Sequence, residues 1–186
     1  MSERGRRPPL PGVPAQKDIE AMIRVDHAGE YGAVRIYEGQ LTVFDALNRA
    51  SKTADAIRRM AQQEDRHLKT FDRLVNERKV RPTALEPLWR LAGFALGAAT
   101  ALMGEKAAMA CTAAVEEVID DHYASQLDRL HGDAELKKTV KDFRADEIAH
   151  RDEALAHGAE QAPGYRLLSE AIKSGCRVAI KLSERI

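Results

Sequence analysis

From Asp18 onward, apolar side chains recur every three or four positions, which is the spacing that lays one apolar stripe along an α-helix, and proline and glycine fall mostly between such stretches. The pattern predicts an all-α domain. Helix one covers about 18 to 46. Its stripe runs Ile19, Met22, Ile23, Val34, Tyr37, Leu41 and Phe44, with Asp26 and Glu30 standing where apolar residues belong. Helix two follows Ser51 and Thr53, either able to cap it, carries Ile57, Met60, Phe71 and Leu74, and is expected to stop at Arg81-Pro82. Its stripe is broken by Glu64 and His67. After a hydrophobic segment from Leu85 to Gly104, helix four begins near Glu105 with Met109, Ala113, Ile119, Tyr123, Leu127 and Leu130, broken by Glu116. His131-Gly132-Asp133 reads as turn and cap. Helix five then shows Leu136, Val140, Phe143 and Ala154, broken by Glu147 and His150. A sixth helix, about 164 to 182, has no such intrusion and reads as packing.

Taking a carboxylate out of water costs several kcal/mol even after relaxation, so charged residues are rarely buried without a partner. Four glutamates facing one core therefore call for cations, and no lysine or arginine lies on these stripes at the matching level. Glu64 with His67 and Glu147 with His150 are both E-x-x-H, and side chains at i and i+3 point to one side of a helix and can grip one metal ion. That spacing alone is weak. Order and phase strengthen it: each E-x-x-H helix is preceded by a helix with a lone stripe glutamate, the ligand order of carboxylate-bridged di-metal bundles. The chain also looks duplicated, because Glu30, Tyr37 and Gln40 match Glu116, Tyr123 and Gln126 at identical offsets. The match selects Glu116 over the adjacent Glu117, and makes each half a helical hairpin. Oxygen and imidazole donors without thiolate suit iron or manganese better than copper(I) or structural zinc. His122 and Tyr123, close to Glu116 in sequence, are candidates for orienting a ligand or relaying protons, and Tyr37 is the repeat equivalent of Tyr123. Asp26, one turn before Glu30, could bond a metal-held imidazole; His27 and His157 are weaker candidates.

Composition narrows the partners. Lys plus Arg and Asp plus Glu both total 29, so no net field draws the chain to nucleic acid. Cys111 and Cys176 are far apart, which indicates neither a disulfide framework nor a thiolate zinc site, and both are expected to be small core residues. Residues 1–17, with Arg4, Arg6, Arg7, four prolines and no apolar stretch, do not read as a secretory signal peptide and are expected to be a disordered tail ahead of one domain spanning 18–186.

Residues 91 to 104 carry no charge, yet as a helix they reach only about 21 Å, short of a bilayer core of about 30 Å. With Leu88, Trp89, the small pair Gly93 and Gly97, and the apolar run from Ala107 to Val115, they could form a hairpin lying in one leaflet. The other reading is a buried core helix. Four striped helices already complete a metal core, so an extra apolar hairpin calls for lipid or a partner protein to cover it.

Four strings, RVDHAGEYGAVRIYEGQ (24 to 40), QEDRHLKTFD (63 to 72), RPTALEPLWRLAGFALGAATALMGEKAAMACTAAVEE (81 to 117) and GCRVAIKLSER (175 to 185), resemble the demethoxyubiquinone hydroxylase family of ubiquinone biosynthesis. The resemblance implies a ferritin-like four-helix di-iron bundle, built here from two repeated hairpins plus the short hydrophobic hairpin and a carboxy-terminal helix. It implies two iron ions held by Glu30, Glu64, His67, Glu116, Glu147 and His150, with Glu64 and Glu147 bridging. The implied activity is O2-dependent hydroxylation of the ring of a polyprenylated methoxybenzoquinone, with two external electrons from NADH or a reductase. No G-x-G-x-x-G element for a nicotinamide cofactor is present. The implied place is peripheral, on the cytoplasmic face of a bacterial inner membrane or the matrix face of the mitochondrial one, in contact with lipid and with a lipid-binding companion protein. Two other functions use overlapping ligands, a cage-forming iron-storage ferritin and a di-manganese catalase.

Overall fold

A computed structural model describes residues 16–48 and 50–186. The described residues form helices and no strands: α1 (Gln16–Ala46), α2 (Lys52–Glu77), α3 (Glu86–Leu102), α4 (Glu105–Leu127), α5 (Ala134–Ala156), a 3-10 turn (Ala159–Gln161) and α6 (Tyr165–Ser183). The tail expected over 1–17 lies outside the described residues, except that Gln16 and Lys17 already belong to α1. α1 pairs with α2 and α4 with α5, and the two hairpins face one another as a ferritin-like bundle. α3 lies along α1, and α6 lies along α4.

Local chemistry explains most boundaries. Ser51 Oγ accepts the Ala54 amide at 3.1 Å and caps α2, whereas Thr53 is already inside the helix. Asp133 caps α5 by accepting the Leu136 amide at 3.0 Å, and its carboxylate also pairs with Arg78 from the end of α2. The Arg78 hydrogen bond holds the Asp133 carboxyl below its ordinary value. α2 ends at Glu77, short of the proline expected to stop it. Lys79 takes a left-handed conformation (φ 54), and the amides of Arg78 and Val80 bond back to Leu74 and Val75 carbonyls while Val80 is buried. This is a Schellman-type stop built on lysine, where glycine is the usual signal.

Two apolar clusters fill the bundle, one toward each end. Phe44, Ile57, Met60, Met109 and Ala154 belong to the first. Ile23, Phe71, Leu74, Leu136 and Phe143 belong to the second. On each of the four bundle helices the stripe glutamate lies between the residues that feed these clusters, so the polar layer is sealed from both ends.

The hydrophobic segment corrects both readings of it. The run from Ala107 to Val115 is buried in α4 as bundle core and forms no external hairpin with α3. α3 buries only Gly97, Thr100 and Ala101, and it does so against α1. A Cβ on Gly97 would meet the Ile36 carbonyl oxygen at 1.9 Å, and one on Gly39 would meet the Phe94 oxygen at 2.2 Å. The small residues let two backbones touch. The other face of α3 exposes Leu88, Leu91 and Leu102, and Met103 just past its end is exposed as well. Cys111 is buried as expected, but Cys176 is only partly buried and borders a cavity.

Candidate metal centre

The six residues singled out by their phase converge at the middle of the bundle. Glu30 (α1), Glu64 and His67 (α2), Glu116 (α4), and Glu147 and His150 (α5) are all at most 2 % exposed. Their donor atoms form two overlapping groups. Glu30, Glu64, His67 and Glu147 make one, and Glu64, Glu116, Glu147 and His150 the other, each with its atoms within 4.8 Å of one another. Glu64 and Glu147 belong to both. His67 Nδ1 lies 3.1 Å from Glu147, 3.5 Å from Glu30 and 3.8 Å from Glu64. His150 Nδ1 lies 3.1 Å from Glu64 and 3.5 Å from Glu147. Glu117, beside Glu116, turns outward and accepts from Lys173 at 2.7 Å.

This box is short of positive charge. Burial pushes the Glu64 and Glu116 carboxyls well up from their ordinary value, and the neighbouring Glu147 pushes them further. Burial also raises Glu147. For His67 burial acts downward, but the Glu147 and Glu30 carboxylates outweigh it and drive the imidazole up to about 12. Both oxygens of Glu64 and Glu147, one each of Glu30 and Glu116, and Nδ1 of both histidines are buried without a hydrogen-bond partner. Buried donor atoms turned toward one another and left unmatched suit divalent cations, and oxygen with nitrogen is the donor set of iron or manganese.

A family model described as "Ubiquinone biosynthesis protein COQ7" matches residues 17–183. The chain belongs to the COQ7 family. It is 57% identical over 180 residues to the 3-demethoxyubiquinol 3-hydroxylase of Rhodospirillum rubrum, covering 95% of this chain and 83% of that protein. It is 51% identical to the human mitochondrial NADPH-dependent 3-demethoxyubiquinone 3-hydroxylase, over 90% of this chain and 78% of the human one. With the yeast mitochondrial 5-demethoxyubiquinone hydroxylase it shares 41%, again over 90% and 78%.

In this COQ7-family chain the residues around the box follow the internal duplication, with a crossover that linear spacing does not reveal. Tyr123, a candidate for orienting a ligand, donates its hydroxyl not to Glu116 on its own helix but to Glu30 on α1. Its repeat partner Tyr37 donates to Glu116 at 2.7 Å. Each tyrosine therefore steadies the glutamate of the other half. Asp26 reaches neither His67 nor His150: it lies 3.3 Å from His122 and accepts from Gln126 at 2.6 Å. His122 is thus tied to Asp26 and Gln126 and makes no contact with the four box glutamates. Of the weaker candidates, His27 pairs with Asp72 and His157 meets Thr53.

Two orienting residues were missed. Gln63 Oε1 accepts from His150 Nε2 at 2.9 Å, and Asp146 Oδ2 accepts from His67 Nε2 at 3.0 Å. Each immediately precedes the glutamate of an E-x-x-H and reaches across to the other helix, so comparing the two repeats one residue upstream would have found them. Also missed was an apolar cavity of about 440 Å³ between α1, α3, α4 and α6. Gly29 and Ala33, on either side of Glu30, line it, as do Val115 and Ile119 on either side of Glu116.

Proposed function

We infer that this protein is an O2-dependent di-iron monooxygenase of ubiquinone biosynthesis, hydroxylating the ring of a polyprenylated demethoxybenzoquinone, 5-methoxy-2-methyl-3-polyprenyl-benzoquinone, with two external electrons. One observation carries the reading: a sealed box of unmatched carboxylate and imidazole donors shares α1 and α4 with an apolar cavity, whose wall includes Gly29 and Ala33 near Glu30 and Val115 and Ile119 near Glu116 but none of the six donors themselves. The names of the bacterial, human and yeast relatives supply the substrate class. A volume of about 440 Å³ falls within the range of small-molecule pockets and suits a quinone head with the first part of its tail. An iron-storage protein or a peroxide-splitting catalase has no use for such an apolar space.

Glu30 and His67 would hold one iron, Glu116 and His150 the other, and Glu64 with Glu147 would bridge them. Bound there, the ions would supply the two-electron reduction of O2. The chain's own part is to hold the donors. Tyr123 and Tyr37 fix Glu30 and Glu116 by hydrogen bonds, and the apolar clusters at both ends keep bulk water from the reacting atoms. The cavity wall would take the ring along α1 and α4, next to the residues that neighbour Glu30 and Glu116 in sequence.

A substrate with an isoprenoid tail stays in lipid, so the enzyme must come to it. Among the described residues no helix is long and apolar enough to cross a membrane. α3 and α6, which border the cavity, expose Leu88, Leu91, Leu167 and Val178 together with Arg90, Arg177 and Lys181. Apolar and basic residues together suit peripheral binding to an anionic leaflet, here the cytoplasmic face of a bacterial inner membrane. A lipid-binding companion protein would use the same face.

The test is reconstitution with ferrous iron in anionic vesicles holding the demethoxy quinone, with NADPH or a chemical reductant. Mass spectrometry should find one oxygen from 18O2 in the ring. Two bound irons with reductant consumed but no labelled quinone would sink the substrate assignment.

A further inference from the structure

The internal duplication is broken where it touches the two imidazoles. His67 and His150 both turn Nδ1 into the box, so an ion bound there takes that nitrogen and leaves the proton on Nε2. Each Nε2–H then needs an acceptor. For His150 it is the neutral amide oxygen of Gln63 at 2.9 Å; for His67 it is the carboxylate of Asp146 at 3.0 Å. The two acceptors occupy equivalent places in the repeat, directly before Glu64 and Glu147. Asp146 is further held in place by Arg66, whose Nη2 donates to the same oxygen. Arg66 also comes within 3.4 Å of His67 Nε2, but it is 60 % exposed, so water screens its charge, and the Asp146 carboxylate at 3.0 Å is the nearer partner and the one able to accept the Nε2 proton. The ring of His67 also stacks on Phe143 with centroids 3.9 Å apart, which restricts its rotation.

A carboxylate accepting from a ligand imidazole makes that ligand more basic and fixes its tautomer and orientation, and an amide does so less. The remaining donors are matched across the box: one terminal glutamate on each side, each steadied by a tyrosine, and two shared glutamates. The inequality therefore rests on the outer acceptor. We propose that the two ion positions are unequal, the one at His67 being filled first and held more tightly because Asp146, a carboxylate, orients its imidazole. This rests on the reading of the box as a two-ion centre. Asp146 and Gln63 act through the histidines as positioning residues.

The experiment is anaerobic titration of the metal-free full chain with ferrous iron against a chromophoric chelator. Mössbauer spectra are then taken after adding one equivalent of 57Fe followed by one of natural iron, and in the reverse order. The wild type should bind in two steps about 10- to 100-fold apart, the usual weight of such a hydrogen-bond partner, with a different quadrupole doublet for each order of addition. Asp146→Asn should weaken the tight step by a similar factor and bring the steps together. Gln63→Glu, nearly isosteric, should tighten the loose step and leave the tight one alone, so the proposal stays exposed if Asp146→Asn fails to fold. Equal steps in the wild type, Asp146→Asn acting on the loose step, or Gln63→Glu changing nothing would overturn it. A wild-type chain that takes up fewer than two ions would overturn the two-ion reading itself.

Discussion

Glu30, Glu64, Glu116 and Glu147 are buried together, with only the two imidazoles as cationic partners among the described residues. Without metal, burial makes Glu64, Glu116 and Glu147 hold their protons more tightly. Their pH dependence follows from the direction of the shifts. Glu64, Glu116 and Glu147 are raised above their ordinary value of 4.5 and His67 is raised from 6.5 to about 12, so the folded metal-free chain binds more protons than the unfolded one. The carboxyl contribution is full below 4.5 and is lost as pH climbs through the raised values. The His67 contribution is full below 6.5 and fades toward 12. Melting of the metal-free protein should fall in temperature as pH rises above the ordinary carboxyl value of 4.5, while stabilisation by added ferrous iron grows in the same direction because metal displaces those protons. A flat pair of curves would contradict the burial. Removing one of these acids tests the site directly. Glu116→Ala should lose at least one iron and all hydroxylation yet keep its helical circular dichroism. Its metal-free form should melt higher, because one uncompensated carboxyl is gone. Full activity with intact iron would reject Glu116 as a ligand.

The helices themselves were largely legible, because stripe period and cap chemistry are local. Helix one, the α4 and α5 starts and the sixth helix were placed to within about two residues, and Asp133 was recognised as a cap. α2 was not ended correctly, because its stop uses Lys79 at φ 54, and nothing about a lysine announces a left-handed conformation. A non-glycine residue there costs about 1 kcal/mol. Lys79→Gly should therefore raise stability to urea by up to about 1 kcal/mol and leave iron content unchanged, whereas destabilisation would show that Lys79 contributes more than its backbone. α3 was harder still. Its composition admitted a lipid-lying hairpin or a buried helix, and the structure shows one glycine-rich face against α1 with the opposite face bare. Which face of a nearly uniform apolar helix meets protein depends on where a partner backbone can approach, and here Gly39 on α1 and Gly97 on α3 allow it.

At the scale of the molecule, α3 and α6 leave open the space that bundle packing would otherwise close. Gly32 lines that space, and a Cβ there would meet nothing within 4 Å. Glycine within a helix costs roughly 0.5–1 kcal/mol relative to alanine, so Gly32 keeps volume at the expense of stability. Gly32→Ala should melt higher and retain its iron, and Gly32→Leu should in addition raise KM for the quinone several-fold by filling the cavity. Unchanged KM in the leucine variant would place the quinone elsewhere. The exposed rim makes a separate prediction. Leu91 is 70% and Leu167 80% exposed, so replacing both with glutamate should leave folding intact while reducing co-sedimentation with anionic vesicles. Undiminished binding would move the lipid contact off α3 and α6.

Helix content, the phase of each stripe and the six residues gathered in the box are written along the chain, because they follow from periodicity and from the cost of burying charge, and both act over one or two turns. The crossed tyrosines, the carboxylate and amide behind the two imidazoles, the bare side of α3 and the cavity arise only when helices distant in sequence are set side by side. Each depends on what a neighbouring backbone brings within about 3 Å, the reach of a hydrogen bond. Linear spacing does not encode that distance.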